Sequence, residues 1–128
     1  MLVGAYAVAA HGLPRATGDI DLWIKCSEDN ANRIMAALKR FGAPLSKLSI
    51  EGLLTPDTVI QLGVSPRRID VLTISGVDYS EAERERKLIE IENLSIPVIG
   101  ISHLIKNKKT LGRPQDLADV ARLEALHS

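Results

Sequence analysis

The stretch Gly18-Asp19-Ile20-Asp21-Leu22-Trp23-Ile24, GDIDLWI, decides how the chain folds. Its apolar residues read as a strand over 19–25, yet aspartate disfavours strands and two stand here one residue apart. Residues i and i+2 of a strand face the same way, so Asp19 and Asp21 project together with Cα atoms roughly 6–7 Å apart. Ile20, Leu22 and Ile24 take the opposite face and anchor it in a core. Two carboxylates this close repel unless a positive charge lies between them or one is protonated. A Mg²⁺ or Mn²⁺ ion, hard and oxygen-seeking, relieves the repulsion. A third aspartate, Asp70, lies between apolar residues in the later run Arg68-Ile69-Asp70-Val71-Leu72-Thr73. If the two strands neighbour each other, the three acids form a cluster of the kind that holds two metal ions for in-line phosphoryl or nucleotidyl transfer. From spacing alone the plainer reading stays open: Asp19 and Asp21 face solvent at a loop end, and Asp70 pairs with a nearby arginine.

Outward from this strand, Leu2-Val3 reads as a strand tail and Gly4 as the turn into a short Ala-rich helix ending near Gly12. Residues 13–18 read as a loop. Ser27 suits the N-cap of a helix whose apolar positions are Ala31, Ile34, Met35, Leu38 and Phe41, stopped by Gly42 and Pro44. A short helix is preferred within 46–54. Thr58–Leu62 and Arg68–Ile74 read as a hairpin around 63–67. Glu81–Lys87 suggests a charged helical turn or two, and Leu94–Val98 an edge strand because Pro97 lacks a donor. Two helices close the chain, roughly Ser102–Leu111 and Pro114–Leu126. The expected fold is a small mixed β-sheet flanked by helices, α/β in class, with a C-terminal helical pair. It forms a single domain over 1–128, with the sheet core and metal site in 1–100 and the helices in 101–128. The two-residue opening strand is too short to hold its own place, so the reading expects residues upstream or a partner to complete that edge.

The 128 residues suffice for one real core. Sixteen basic residues balance sixteen acidic ones, so no global field points to nucleic acid or a membrane. Cys26, the only cysteine, excludes an internal disulfide and a cysteine-built zinc site. No apolar run approaches the ~20 residues of a membrane span. The opening MLVGAYAVAAHG has no basic residue before its short apolar stretch, unlike a secretory signal. The expected compartment is cytoplasmic.

Val3-Gly4-Ala5 joins strand to helix, where free backbone N–H groups can hold a phosphate. Strand, glycine turn, helix and acidic strand thus follow in order. This order, Gly4-Ala5, then Asp19-Ile20-Asp21-Leu22, then Ile69-Asp70-Val71, resembles the signature of the DNA polymerase β-type nucleotidyltransferase superfamily. The string VGAYAVAAHGLPRATGDIDLWI and the later LIKNKKTLGRPQDLADV are similar to small bacterial nucleotidyltransferase-like proteins related to AbiEii-type toxins and minimal nucleotidyltransferases. The resemblance implies Mg²⁺ (or Mn²⁺) on Asp19, Asp21 and Asp70, with Asp70 as base for an acceptor hydroxyl. It further implies a nucleoside triphosphate whose phosphates lie against Gly4-Ala5. The acceptor it leaves open: an RNA, a protein or a small molecule. So too the partner, a second copy of the chain or a cognate toxin or antitoxin. Two departures count. Ala5 stands where many members have Ser, and the helix that commonly precedes their first strand is missing.

On the same resemblance Arg15 and Thr17, in the loop before the acidic strand, hold triphosphate oxygens and orient a carboxylate; otherwise they are an exposed side chain and a loop cap. Lys108 falls on the apolar stripe of its helix, i+4 from Leu104. It either carries its ammonium out to water or reaches the cleft as a phosphate-binding charge. Asp116 and Asp119 read as structural, the former in a first helical turn where the dipole favours a carboxylate. His11, His103 and His127 also read as structural, and Trp23, on the Asp19/Asp21 face, reads either as packing or as lining of the cleft. The acids and bases of 81–92 read as a solvated face. The expected activity is nucleotidyl transfer with release of pyrophosphate. Two rivals share the scaffold: a non-catalytic antitoxin or regulatory protein, and a stripped phosphate-binding module.

Overall fold

The computed structural model describes residues 1–15, 18–64, 67–74 and 77–127. The elements run β1 (Leu2–Val3), α1 (Gly4–Ala10), β2 (Ile20–Trp23), α2 (Glu28–Phe41), α3 (Ile50–Leu54), β3 (Val59–Leu62) and β4 (Ile69–Leu72). They continue with α4 (Tyr79–Arg84), β5 (Lys87–Ile91), β6 (Leu94–Val98), α5 (Ile101–Leu111) and α6 (Pro114–His127). The strands form one mixed sheet in the order β3-β4-β2-β1-β6-β5. The chain is therefore the expected α/β fold with a C-terminal helical pair.

Parallel pairing of β2 with β4 places Ile20 beside Ile69, Asp21 beside Asp70, Leu22 beside Val71 and Trp23 beside Leu72. Alternation then sends successive residues to opposite faces. Trp23 joins Val3, Ala7, Val8, Ile99, Leu104 and Leu123 in one core, beneath α1, α5 and α6. Ile24 and Val71 join Ala31, Leu38, Leu53, Ile60 and Leu62 in the other, beneath α2 and α3. Complete burial of Leu53, Leu104 and Leu123 contributes about 1.5–3 kcal/mol each. Asp21 and Asp70 belong to the first face, so the sheet register alone sets them side by side under the C-terminal helices.

The sequence explains α2 well. The Ser27 hydroxyl accepts from Asn30 N at 3.3 Å, acids occupy the first turn and bases the last, and Gly42 closes it in the left-handed conformation. Phe41, expected on its apolar stripe, is 74% exposed instead, because it occupies the last turn, past the end of the inner core.

Three further expectations need correction. The acidic strand begins at Ile20 rather than at residue 19: the Asp19 carboxylate, not its backbone, meets the next strand by accepting from Arg68 N at 3.0 Å. Residues expected as a charged helix to Lys87 divide in two. Helix α4 starts earlier, where the Asp78 carboxylate caps it through Ser80 N and Glu81 N, and Lys87 already opens β5. Strand β6 is not the edge; β5 is. Pro97 is tolerated there because β1 engages β6 only at Leu2 and Val98. No helix among the described residues is long and apolar enough to cross a membrane.

Candidate functional site

Gly4 has φ +69° and opens α1 directly above β2. A Cβ at this position would overlap the Asp21 carboxylate, coming within 2.8 Å of its Cγ. Glycine therefore answers two demands at once: the left-handed conformation and the close approach of a carboxylate.

Asp21 and Asp70 stand side by side in the sheet register, and Asp19 approaches them across the guanidinium of Arg68. Arg68 donates Nε–H to Asp70 Oδ1 at 2.7 Å and Nη2–H to Asp70 Oδ2 at 3.0 Å. Its Nη2 also lies 3.8 Å from Asp19 Oδ2. Asp70 is 6% exposed, so this two-pronged pair sits in a poorly solvated place and is well held. The plainer reading of Asp70, pairing with a nearby arginine, thus describes the contact it makes. Arg68 itself is a site residue the motif did not flag. Its signal was available: it precedes Asp70 by two positions in a strand-like run, and i and i+2 share a face.

The Asp21 carboxyl, by contrast, is pushed up to about 6. Burial is the main cause, followed by the charge and hydrogen bond of Asp70, with Asp19 adding repulsion and Arg68 opposing it. The carboxyl oxygens are the right donor type for Mg²⁺ or Mn²⁺, and the unrelieved charge at Asp21 is what a divalent cation would offset. In kind, the residues fit the ion. As arranged, no group of three or more His, Cys, Asp or Glu among the described residues is placed to hold a metal. Arg68 takes both oxygens of Asp70, so a cation must compete with it.

On the same face, Gly4, Ala5, Asp21, Arg15, Lys108 and Arg113 line a cleft of about 510 Å³, floored by Asp116 and Asp119. Those two aspartates are 2% and 3% exposed. Lys108 Nζ reaches Asp119 Oδ2 at 2.9 Å and Asp116 Oδ1 at 3.4 Å. Arg113 binds Asp116 at 2.6 Å, and Arg15 binds Asp119 at 2.5 Å. The hydrogen bond from Arg113 holds the Asp116 carboxyl below its usual range. At Asp119 burial pushes upward, but the bonds from Arg15 and Lys108 outweigh it and the net direction is down. Asp116 and Asp119 are structural, as expected, though as buried ion-pair partners rather than through the helix dipole alone. Lys108 runs inward to them with only 12% of its side chain exposed, so it does not carry its ammonium out to bulk water.

Gly4, Ala5, Arg15 and Lys108 therefore share one cleft with Asp21. Thr17 lies outside the described residues. The histidines have structural roles where their contacts are defined: His11 donates from Nε2 to the Ile99 carbonyl at 2.7 Å, and His127 to the His11 carbonyl at 2.7 Å. Trp23 is 1% exposed and meets Tyr79 edge to face at 5.1 Å. Comparison with known proteins adds no identification: no protein-family model matches the chain, and no curated protein is significantly similar to it.

Proposed function

We propose that the protein is a metal-dependent nucleotidyltransferase, and the observation that carries this reading is the register pairing of Asp21 with Asp70 beside the Gly4 turn and a cleft that holds Arg15, Lys108 and Arg113. The hydroxyl oxygen of an acceptor attacks the α-phosphorus of a nucleoside triphosphate, the bond to the bridging oxygen of the β-phosphate breaks, and pyrophosphate leaves. Lys108, Arg15 and Arg113 supply positive charge for the phosphates, and the backbone at Gly4-Ala5 allows them close. Asp70, freed from Arg68, accepts the proton of the hydroxyl. Mg²⁺ or Mn²⁺ held by Asp19, Asp21 and Asp70 would neutralise charge on the phosphates and on the attacking oxygen. The acceptor is an RNA, a protein or a small-molecule hydroxyl, and the toxin–antitoxin setting follows from the resemblance alone.

The guanidinium on Asp70 favours a second reading, a non-catalytic regulatory protein on the same scaffold, in which Arg68 permanently fills the cation's place. Thermal unfolding with Mn²⁺ and a non-hydrolysable nucleotide separates the two. An enzyme gains stability that Asp19→Asn/Asp21→Asn lacks, and labelled nucleoside triphosphates then mark an acceptor. Equal melting curves for wild type and variant, with no labelled product, would leave only the regulatory reading.

A further inference from the structure

A second cavity opens on the same sheet face, beside the Lys108 cleft. It encloses about 330 Å³, and its walls include Trp23, Ile74, Ile99, His103, Asn107 and Thr110. Two links tie it to the cleft. Trp23 follows Asp21 by two residues on β2, so their Cα atoms are roughly 6–7 Å apart on one face. Asn107 and Lys108 are consecutive on α5, one lining the cavity and the other the cleft.

The chemistry of the walls is divided. Ile74, Val77 and Leu111 give apolar surface, while Trp23 and Ile99 border the cavity almost wholly buried. Polar groups come from α5 and, from outside that helix, from Asp57. The Asn107 carboxamide makes no hydrogen bond to any described residue, leaving a donor and an acceptor side by side. His103 Nδ1 is buried and forms no hydrogen bond, although the Glu85 carboxylate lies 3.0 Å away. A packing defect in a core is small and lined by hydrocarbon alone. A hollow of this size, apolar on its faces and with a few convergent polar groups, has the character of a small-molecule site.

We propose that this cavity takes the nucleobase of the donor nucleotide, its ring over Ile74 and Val77 close to the buried Trp23 and its polar edge toward Asn107. The inference rests on the nucleotidyltransferase reading for what is bound, and on the Trp23–Asn107 cavity for where. The base enters the cavity while its phosphates lie over Lys108 and Arg15, because the two spaces adjoin along β2 and α5. Asn107, offering both a donor and an acceptor, is then the residue that selects among bases.

Trp23 is the only tryptophan of the chain, so its fluorescence reports this cavity directly. Adenosine, guanosine, cytidine and uridine, which carry no phosphate, are titrated with inner-filter correction. At least one is expected to change the emission saturably, and Asn107→Ala to weaken it about tenfold, the worth of a good hydrogen bond. Thr110→Phe, which fills the cavity from an exposed position on α5, is expected to keep the melting temperature and abolish the response. Asp21→Asn/Asp70→Asn is expected to keep the nucleoside response while losing nucleotidyl transfer, so failure of the catalytic reading and failure of this one look different. The matching triphosphate is expected to bind more tightly than the nucleoside, and that gain to vanish in Lys108→Met. No response to any of the four nucleosides, or an undiminished response in folded Thr110→Phe, overturns the proposal. A triphosphate that binds without competing with its nucleoside overturns it equally.

Discussion

Gly4 lies against Asp21 so closely that no side chain can stand between them. The backbone of the first helix and the central carboxylate are thus one unit, and the turn cannot change without moving the acid. Gly4→Ala must bear the left-handed backbone, about 1–2 kcal/mol, together with displacement of the Asp21 side chain. The expected loss is about 2–4 kcal/mol by chemical denaturation. Gly12→Ala serves as the comparison: it too has positive φ, but its Cβ would meet only the flexible end of Leu126 at 3.3 Å. It is expected to lose less stability and to leave nucleotide binding unchanged.

Arg68 occupies both oxygens of Asp70 that the proposed divalent cation would need. Removing the guanidinium leaves Asp19, Asp21 and Asp70 with less positive charge among them, and truncating one partner of a buried pair is costly. Arg68→Met is expected to lose about 2–3 kcal/mol in chelator and to recover most of that on adding Mn²⁺. Wild type, whose arginine already offsets the charge, is expected to gain less from the same ion. Calorimetric titration of Mn²⁺ checks the point independently: Arg68→Met is expected to bind the ion more tightly than wild type.

Much of this site was legible before the fold. Alternation along GDIDLWI and RIDVLT fixes which residues share a face, and apolar neighbours on both sides of Asp70 mark a buried strand. What alternation does not convey is pairing between distant segments. Arg68 meets Asp70 within its own strand run, so that pairing is readable from alternation, whereas its reach to Asp19 exists only once β4 lies beside β2. Lys108 meets Asp116 and Asp119 across one turn between neighbouring helices, but Arg15 reaches Asp119 from the other end of the chain. Strand β5 was hidden by composition: its charged residues suit a helix surface equally well, and only pairing with Leu94–Val98 makes it a strand. The sheet therefore extends one strand past β6, and β5 forms its edge. A proline marks a side of a strand that needs no donor, and β6 has such a side although it is flanked on both.

The acid–base behaviour of Asp21 carries a sign that can be measured. Its folded-state carboxyl titrates near 6, above the 3.8 of an unperturbed aspartate, so between those values the folded protein holds the extra proton. Stability from this group is full below about pH 4 and declines as pH rises through 6. Asp21→Asn removes the titration. The variant is expected to match wild type near pH 4 and to exceed it by about 1–2 kcal/mol at pH 7.5 in the absence of metal, allowing for solvent screening of a half-buried group. Urea denaturation of both proteins across that range tests it; a difference that grows toward acid instead contradicts the assignment of the shift.

Lys108 separates a structural cation from one that also serves a ligand. It lies on the apolar stripe of α5 yet turns to two buried carboxylates on α6, so Lys108→Met keeps the packing and removes the charge. Asp116 retains Arg113 and Asp119 retains Arg15, which moderates the loss to about 2–3 kcal/mol rather than the full cost of a stranded buried acid. Both acids are held below their usual range, so the stability they contribute is present above pH 4 and is lost as pH falls. The variant is therefore expected to approach wild type in acid, where the carboxylates protonate in both. A purely structural lysine changes nothing further. If Lys108 also meets phosphate, inorganic triphosphate raises the melting temperature of wild type but not of Lys108→Met, and the conservative Lys108→Arg recovers part of that rise while Arg113→Met, on the outer rim of the cleft, reduces it only slightly.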